Sequence, residues 1–335
     1  MKAGLFSKDG ILSTAQKIGN FTYQDGFTLN NQSEKRKEIW AIGGGKGGVG
    51  KSLTTANLSI CLALLGHKVV TIDLDLGGAN LHTCLGAKIP QATLSDYLGK
   101  KLSHFSDLLS PTPIDNLKII SGAHDDFGMA NLKQAQKGKI LYELDHLDSD
   151  FILLDLGAGT TFNTLDFFLS ADRGIMTTLP EPTSIENTYR FIKSIYHRKL
   201  KLCEDLIDIH HLIDQAMNSK ISDTSNPAEM IQKMSLEFPE KGQIIKREIE
   251  EFTPGLIINQ VRSQNDIDIG FSMKYICRKY FGFNLDFLGY LEYDASVWQS
   301  VKKRKPLLTT FPNSNLVNNF DQIVQNLVGK KGKLL

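Results

Sequence analysis

Gly45-Lys46-Gly47-Gly48-Val49-Gly50-Lys51-Ser52 lies between a short apolar run, Ile39-Trp40-Ala41-Ile42, and a helix-favouring segment over residues 53–65 that stops at Gly66. It fits the phosphate-loop pattern G-x-x-x-x-G-K-S/T, in the strand–turn–helix setting that gives the pattern meaning. The backbone N–H groups of such a turn and the positive end of the helix after it converge on one place, an anion site. Lys51 is expected to reach β- and γ-phosphates and the Ser52 hydroxyl to hold Mg2+. Gly45, Lys46, Gly47, Gly48, Val49, Gly50 and Leu53 complete the expected nucleotide contacts. These residues predict a nucleoside triphosphate site.

Working outward, further apolar runs at residues 69–74, 117–120, 151–156, 174–179, 256–259 and 285–290 alternate with helical stretches. That alternation predicts an α/β fold: a doubly wound, mostly parallel sheet with helices on both faces. Ligands of such sheets sit at the carboxyl ends of the strands, where the phosphate loop is. Residues 1–37 read as a polar N-terminal tail, 38–310 as one P-loop domain, and 311–335 as an amphipathic helix with a basic tail. Within the domain, residues 191–250 hold no convincing strand. Their charged, helix-favouring sequence surrounds a polar break at 222–227 and reads as a helical insertion, either a solvated flank or a partner surface.

Composition narrows the classes. A chain of 335 residues, 41% hydrophobic and 22% charged, has the makeup of a soluble globular protein. Its net charge of +1 supplies no global field toward nucleic acid or anionic lipid, so any such binding must be local. Cys61, Cys84, Cys203 and Cys277 are widely spaced, which argues against a zinc site, a disulfide framework or an iron–sulfur cluster and fits a reducing cytoplasm. No segment approaches the ~20 apolar residues of a membrane span, and the N-terminus has no signal-length apolar stretch.

Two carboxylate segments carry the remaining chemistry. Asp73 and Asp75 end a strand two residues apart and so point the same way. Together they can order water around a metal and position a nucleophilic water. Asp155 closes the apolar strand at 151–154, as the second metal-side group does in phosphate-loop enzymes. The Gly157 and Gly159 that follow let a switch segment approach and leave the γ-phosphate. Asn259 ends a later strand, where an amide can pair with the adenine edge. No N-K-x-D guanine motif is present, so ATP is expected over GTP.

Lys46, a second lysine in the loop, narrows the reading. Lys46 to Ser52 resembles the deviant Walker A loop of the MinD/ParA ATPases, and Asp73 to Leu81 resembles the D-x-D-x-G-x-x-N-L stretch of their MinD branch. The resemblance covers roughly residues 39–308. It implies an ATP-dependent homodimer in which Lys46 reaches the partner's nucleotide. It also implies that Asp75 orients the attacking water, that Asp73 supports the metal through water, and that Asp155 belongs to switch II. The spelling Asp155-Leu156-Gly157-Ala158-Gly159 leans toward the flagellar-site relatives called FlhG, although residues 1–37 contain no D-Q-A-x-x-L-R-type motif. Pro180 to Ile185 resembles the loop and helix start after the next strand, with Thr183 or Ser184 as N-cap. Leu288 to Asp294 resembles the adenine loop, with Glu292 where a proline is usual and Asp294 nearby as a further nucleotide contact.

The implied function is an ATP-binding and ATP-hydrolysing dimerisation switch that positions a flagellum, division apparatus or other cargo through a protein partner the sequence does not name. Location is expected to be cytoplasmic, with peripheral contact to the inner membrane in view of the family's C-terminal amphipathic helix. Residues 315–328 have that pattern, but their polar face carries no cation, which favours a last helix packed on the core. Lys302-Lys303-Arg304-Lys305 reads as a solvated helix end or a DNA-binding cluster. A DNA-dependent partition ATPase, a biosynthetic synthetase and a nucleotide-gated scaffold stay open as alternatives.

Overall fold

The computed structural model describes residues 37–75, 78–122, 132–207 and 226–329. Eight strands form one sheet: β1 (Glu38–Gly43), β2 (Val69–Leu74), β3 (Ser110–Pro111), β4 (Leu117–Ile120), β5 (Phe151–Leu156), β6 (Arg173–Thr178), β7 (Gly255–Val261) and β8 (Asp286–Glu292). Their order is β3-β4-β2-β5-β1-β6-β7-β8, parallel throughout except for β3 against β4. The seven apolar runs of the sequence are the seven parallel strands. β3 was not among them, because two residues including a proline carry no period. Pro111 is tolerated at the sheet edge, where its missing N–H leaves no ladder bond broken.

The helices follow in chain order as α1 (Lys51–Leu64), α2 (Leu81–Cys84), α3 (Leu94–Leu98), α4 (Gln134–His146), α5 (Phe162–Ser170), α6 (Pro182–Ile207), α7 (Pro227–Glu237), α8 (Pro239–Glu250), α9 (Gln264–Ile276), α10 (Ala295–Lys303), α11 (Leu307–Thr310) and α12 (Asn315–Val328). Strand alternation divides the interior into two cores. From β1, Ile39 and Ala41 enter the core beneath α3 to α9, while Trp40 and Ile42 enter the one beneath α1, α2, α11 and α12. Burial on both faces is why these strands read as nearly continuous apolar runs.

Two expectations change form here. The segment 191–250 is not wholly an insertion, because its first part is the crossover helix α6, unbroken from Pro182 to Ile207. The elements that follow in that segment are α7 and α8, held to α6 by the Tyr196 hydroxyl donating to the Pro227 carbonyl (3.2 Å) and by Lys199 with Glu248 (3.2 Å). Of the polar break, Asn226 caps α7 through the Glu229 N–H, while residues 208–225 lie outside the described residues. Thr183 and Ser184 are not the N-cap of α6, because Pro182, with its φ preset for a helix, begins it one residue earlier. The Ser184 hydroxyl instead accepts the Leu179 N–H at 3.0 Å.

The last helix, α12, is a core element. Leu316, Val317, Phe320, Ile323, Val324 and Leu327 are buried, packed on α1 and β8, and the Asn326 amide donates to the Leu288 carbonyl at 2.9 Å. Its apolar stripe is therefore covered by the protein's own body. The N-terminal tail to residue 36 and the basic tail 330–335 lie outside the described residues. Among the described residues no helix is long and apolar enough to cross a membrane.

Candidate functional site

The phosphate loop joins β1 to α1, and two of its glycines are dictated by what they touch. A Cβ on Gly45 would stand 2.0 Å from the Asn187 carbonyl oxygen of α6, so only glycine lets the loop lie on that helix. Gly50 has φ +95°, in the left-handed region, and a Cβ there would meet the Asn259 amide at 2.2 Å. Gly50 is the N-cap of α1, so the helix begins at Lys51, two residues earlier than the sequence suggested. No side chain caps it and no acid stands in its first turn. The first intrahelical bond is Thr54 N–H to the Gly50 carbonyl, which leaves the amides of Lys51, Ser52 and Leu53 without helix acceptors.

The two lysines have opposite environments. Lys51 is 8% exposed, and burial lowers its pKa, with Asp155 and then Asp75 acting to raise it. Lys46 is exposed at the loop's tip beside exposed Gly47 and Gly48, and Val49 is buried beneath them. Lys46 makes no ion pair among the described residues.

Parallel register places Asp73 of β2 directly beside Asp155 of β5, and Asp155 beside Ile42 at the end of β1. Both carboxylates are 1% exposed. Burial pushes the Asp155 carboxyl up from the ordinary range, and Asp73 pushes it further, while hydrogen bonds from Ser52 and Thr55 and the charge of Lys51 pull the other way. Asp73 is raised mainly by burial, against hydrogen bonds from the Leu81 N–H (3.0 Å) and Asp75 N–H (3.1 Å). Two buried carboxylates and a hydroxyl around a single buried ammonium leave a deficit of positive charge. That donor set fits Mg2+, which takes one or two carboxylates and completes its shell with phosphate and water. No cluster of three or more His, Cys, Asp or Glu able to hold a metal occurs among the described residues, so a site filled by protein ligands alone does not arise there.

The segments after β2 and after β5 both touch this centre. Asp75 is half-buried, and its carboxylate lies 3.4 Å from where a Cβ on Gly157 would stand. The Gly159 N–H donates to the Gly44 carbonyl at 3.2 Å, tying the segment after β5 to the phosphate loop. Leu76 and Gly77, which follow Asp75, lie outside the described residues.

The base-side residues are placed differently from the expectation. The Asn259 amide donates to the Val49 carbonyl at 2.9 Å, clasping the phosphate loop, and its oxygen accepts the Gln260 N–H. Glu292 ends β8, where its carboxylate accepts from the Asn315 amide and its N–H donates to Asn319. Asp294 caps α10 through the Ser296 N–H, and its other oxygen accepts from the Ser314 hydroxyl, the bond that chiefly holds its carboxyl below the usual range. The structure thus gathers Lys51, Ser52, Asp73, Asp75, Asp155, Gly157 and Gly159 around the loop. The side chains of Glu292 and Asp294 are spent holding the last helices. Sequence reading missed Thr55, whose hydroxyl lies 3.1 Å from Asp155. Its spacing of three from Ser52, on one helix face, was the available signal.

A doubly wound sheet with a phosphate loop at the carboxyl end of β1 and paired acids on β2 and β5 defines a P-loop nucleotide-binding protein. The chain belongs to the CobQ/CobB/MinD/ParA nucleotide binding domain family (CbiA), which matches it over residues 40–307. It is 32% identical to the antiactivator FleN of Pseudomonas aeruginosa over 158 residues, 47% of this chain and 55% of FleN. It is 33% identical to the septum site-determining protein MinD of Helicobacter pylori over 52% of this chain and 65% of that one. The flagellum site-determining protein YlxH of Helicobacter pylori is 35% identical over 46% and 52% respectively. The chain therefore spans between about half and two thirds of the length of these relatives. Among solved structures, the fold is that of the septum site-determining protein MinD complexed with Mg-ADP from Pyrococcus horikoshii OT3, with a TM-score of 0.58 at 22% identity, covering 88% of this chain and 97% of that one.

Proposed function

We propose that this protein is an ATP-dependent dimerisation switch that hydrolyses ATP and positions a cellular cargo, as the names of its flagellum- and septum-site relatives suggest. The observation that carries the reading is the division of labour between its two loop lysines. Lys51 is buried against Asp155 and serves the subunit's own phosphates. Lys46 is exposed at the loop's tip, open to the nucleotide of a second copy.

In this reading the amides of Lys51, Ser52 and Leu53 receive the phosphate oxygens, with Gly45, Gly47, Gly48, Val49 and Gly50 shaping the loop. Ser52, Asp73 and Asp155 would hold Mg2+, which supplies charge neutralisation at the transferring phosphate. Asp75 orients the attacking water. Gly157 and Gly159 sense the γ-phosphate because the Gly159–Gly44 bond already links that segment to the loop. Asn259 acts first by fixing the loop from beneath, and the ends of β7 and β8 border the base. Neither membrane nor DNA contact is part of this core reading.

Turnover and nucleotide binding in three variants test it. Lys51→Ala should lose nucleotide binding, Asp75→Ala should bind but turn over at least roughly a hundredfold more slowly, in the range of a lost positioning group, and Lys46→Gln should bind without dimerising. Wild-type turnover in both Asp75→Ala and Lys46→Gln would overturn the assignment.

A further inference from the structure

Asp166 stands in the second turn of α5 and is only 4% exposed, a depth at which a carboxylate needs partners. It has two, on two different helices. Its Oδ2 pairs with the buried ammonium of Lys137 on α4, and its Oδ1 accepts from Nε of Arg198 on α6 at 2.6 Å. The Arg198 guanidinium also lies 5.5 Å from the centre of the ring of Phe162, the first residue of α5. Phe162 and Asp166 are four residues apart and so share one helix face, which Arg198 grips at both points.

Buried Phe167 and Phe168 hold α5 on the sheet, but apolar burial has no direction. Charged side chains taken out of water are a poor source of stability, since well-packed apolar groups hold helices together as well. What two charge-assisted bonds to separate helices do supply is direction: they fix α5 along and about its axis. α5 carries the segment at 157–161, which leaves β5 beside the paired carboxylates. Ala158, Thr160 and Thr161 of that segment are exposed, and Gly159, at φ +88°, bonds the Gly44 carbonyl. A segment so lightly held takes its position from its ends. The phosphate loop bears on the same helix that Asp166 grips, because Gly45 rests on α6 at Asn187, about three turns before Arg198. Loop and segment are thereby both referenced to α6.

We propose that Asp166 is a positioning residue for ATP hydrolysis, a role that rests on the ATP-hydrolysing reading above. Clamped between Lys137 and Arg198, it holds α5, and through α5 the segment at 157–161, in register with the phosphate loop. The segment can then meet the γ-phosphate without α5 turning or sliding away. Nucleotide binding belongs to the loop and does not need the clamp; turnover needs both.

Urea unfolding, steady-state ATP turnover and ADP binding are measured on the full chain as wild type, Asp166→Asn, and Asp166→Asn with Lys137→Met. Asp166→Asn leaves the Lys137 ammonium buried without its partner and should lower the urea midpoint. The double variant removes that ammonium and should recover most of the midpoint. In both, kcat should stay roughly tenfold or more below wild type, the scale of a displaced reacting geometry. KM for ATP and the affinity for ADP should stay within about twofold of wild type. Amide exchange at 157–161 should slow in wild type when a non-hydrolysable ATP analogue binds. In the double variant it should not, while the loop at 45–52 is protected in both. Turnover that recovers together with the midpoint in the double variant would overturn the proposal by making the ion pairs structural only. Nucleotide affinity lost in step with kcat would also overturn it, by placing the effect at the phosphate loop. A wild type that binds nucleotide without turning it over would overturn the hydrolysing reading itself, and this role with it, before any variant is compared.

Discussion

Asp155 and Asp73 show what a nucleotide site costs at the level of single side chains. Held side by side and buried, they are easier to protonate than ordinary carboxylates, so the nucleotide-free fold carries an electrostatic penalty at neutral pH. The sign follows from proton counting. Above the ordinary carboxylate value of 3.8 the unfolded chain has released protons that the folded state still holds, so stability falls as pH rises through the raised range. Asp155→Asn should flatten that fall and raise the melting temperature of the nucleotide-free protein by a few degrees near neutral pH, while weakening magnesium-dependent nucleotide binding. A melting series across pH in the presence of a chelator checks it. An Asp155→Asn protein that melts lower than wild type at neutral pH would show that the charge pair is not a burden on the fold.

At the level of elements, α6 backs the phosphate loop and α12 covers one core of the sheet. The start of α6 lies on Gly45, so Gly45→Ala forces helix and loop apart, with an expected loss of about 1–3 kcal/mol in urea unfolding together with weakened nucleotide binding. If α12 is core, Phe320→Ala should cost about 3–5 kcal/mol by the same measurement, since Phe320 is fully buried. A helix lying off the body would show no change. The seven parallel strands were legible because burial on both faces leaves apolar runs, and the Lys46–Ser52 and Asp155–Gly159 motifs were legible because their spacing is chemistry. What escaped were relations across the chain: the clasp of Asn259 on Val49, 210 residues apart, the Thr55–Asp155 bond, and the capping and bridging work of Asp294 and Glu292. A local pattern names a carboxylate or amide but not the distant partner that uses it. The start of α6 was misjudged because hydroxyl residues suggest a cap, whereas Pro182 and the Ser184–Leu179 bond settle it.

For the whole molecule, the carboxyl edge of the sheet brings together the phosphate loop and the acidic segments after β2 and β5, while Lys46 stays exposed at the loop's tip. In the proposed reading Lys46, which makes no ion pair among the described residues, reaches the nucleotide of a second copy. ATP binding should then raise the folded state's stability by mass action and change its mass, while ADP does only the first. The most direct measurement is sedimentation velocity of the wild type with Mg2+ and ATP, with Mg2+ and ADP, and of Lys46→Gln with Mg2+ and ATP, with bound nucleotide quantified in every sample. A dimer is expected only for wild type with ATP, with nucleotide bound in all three. A Lys46→Gln protein that dimerises as fully as wild type, or a nucleotide-loaded wild type that stays monomeric with ATP, would overturn the proposed switch.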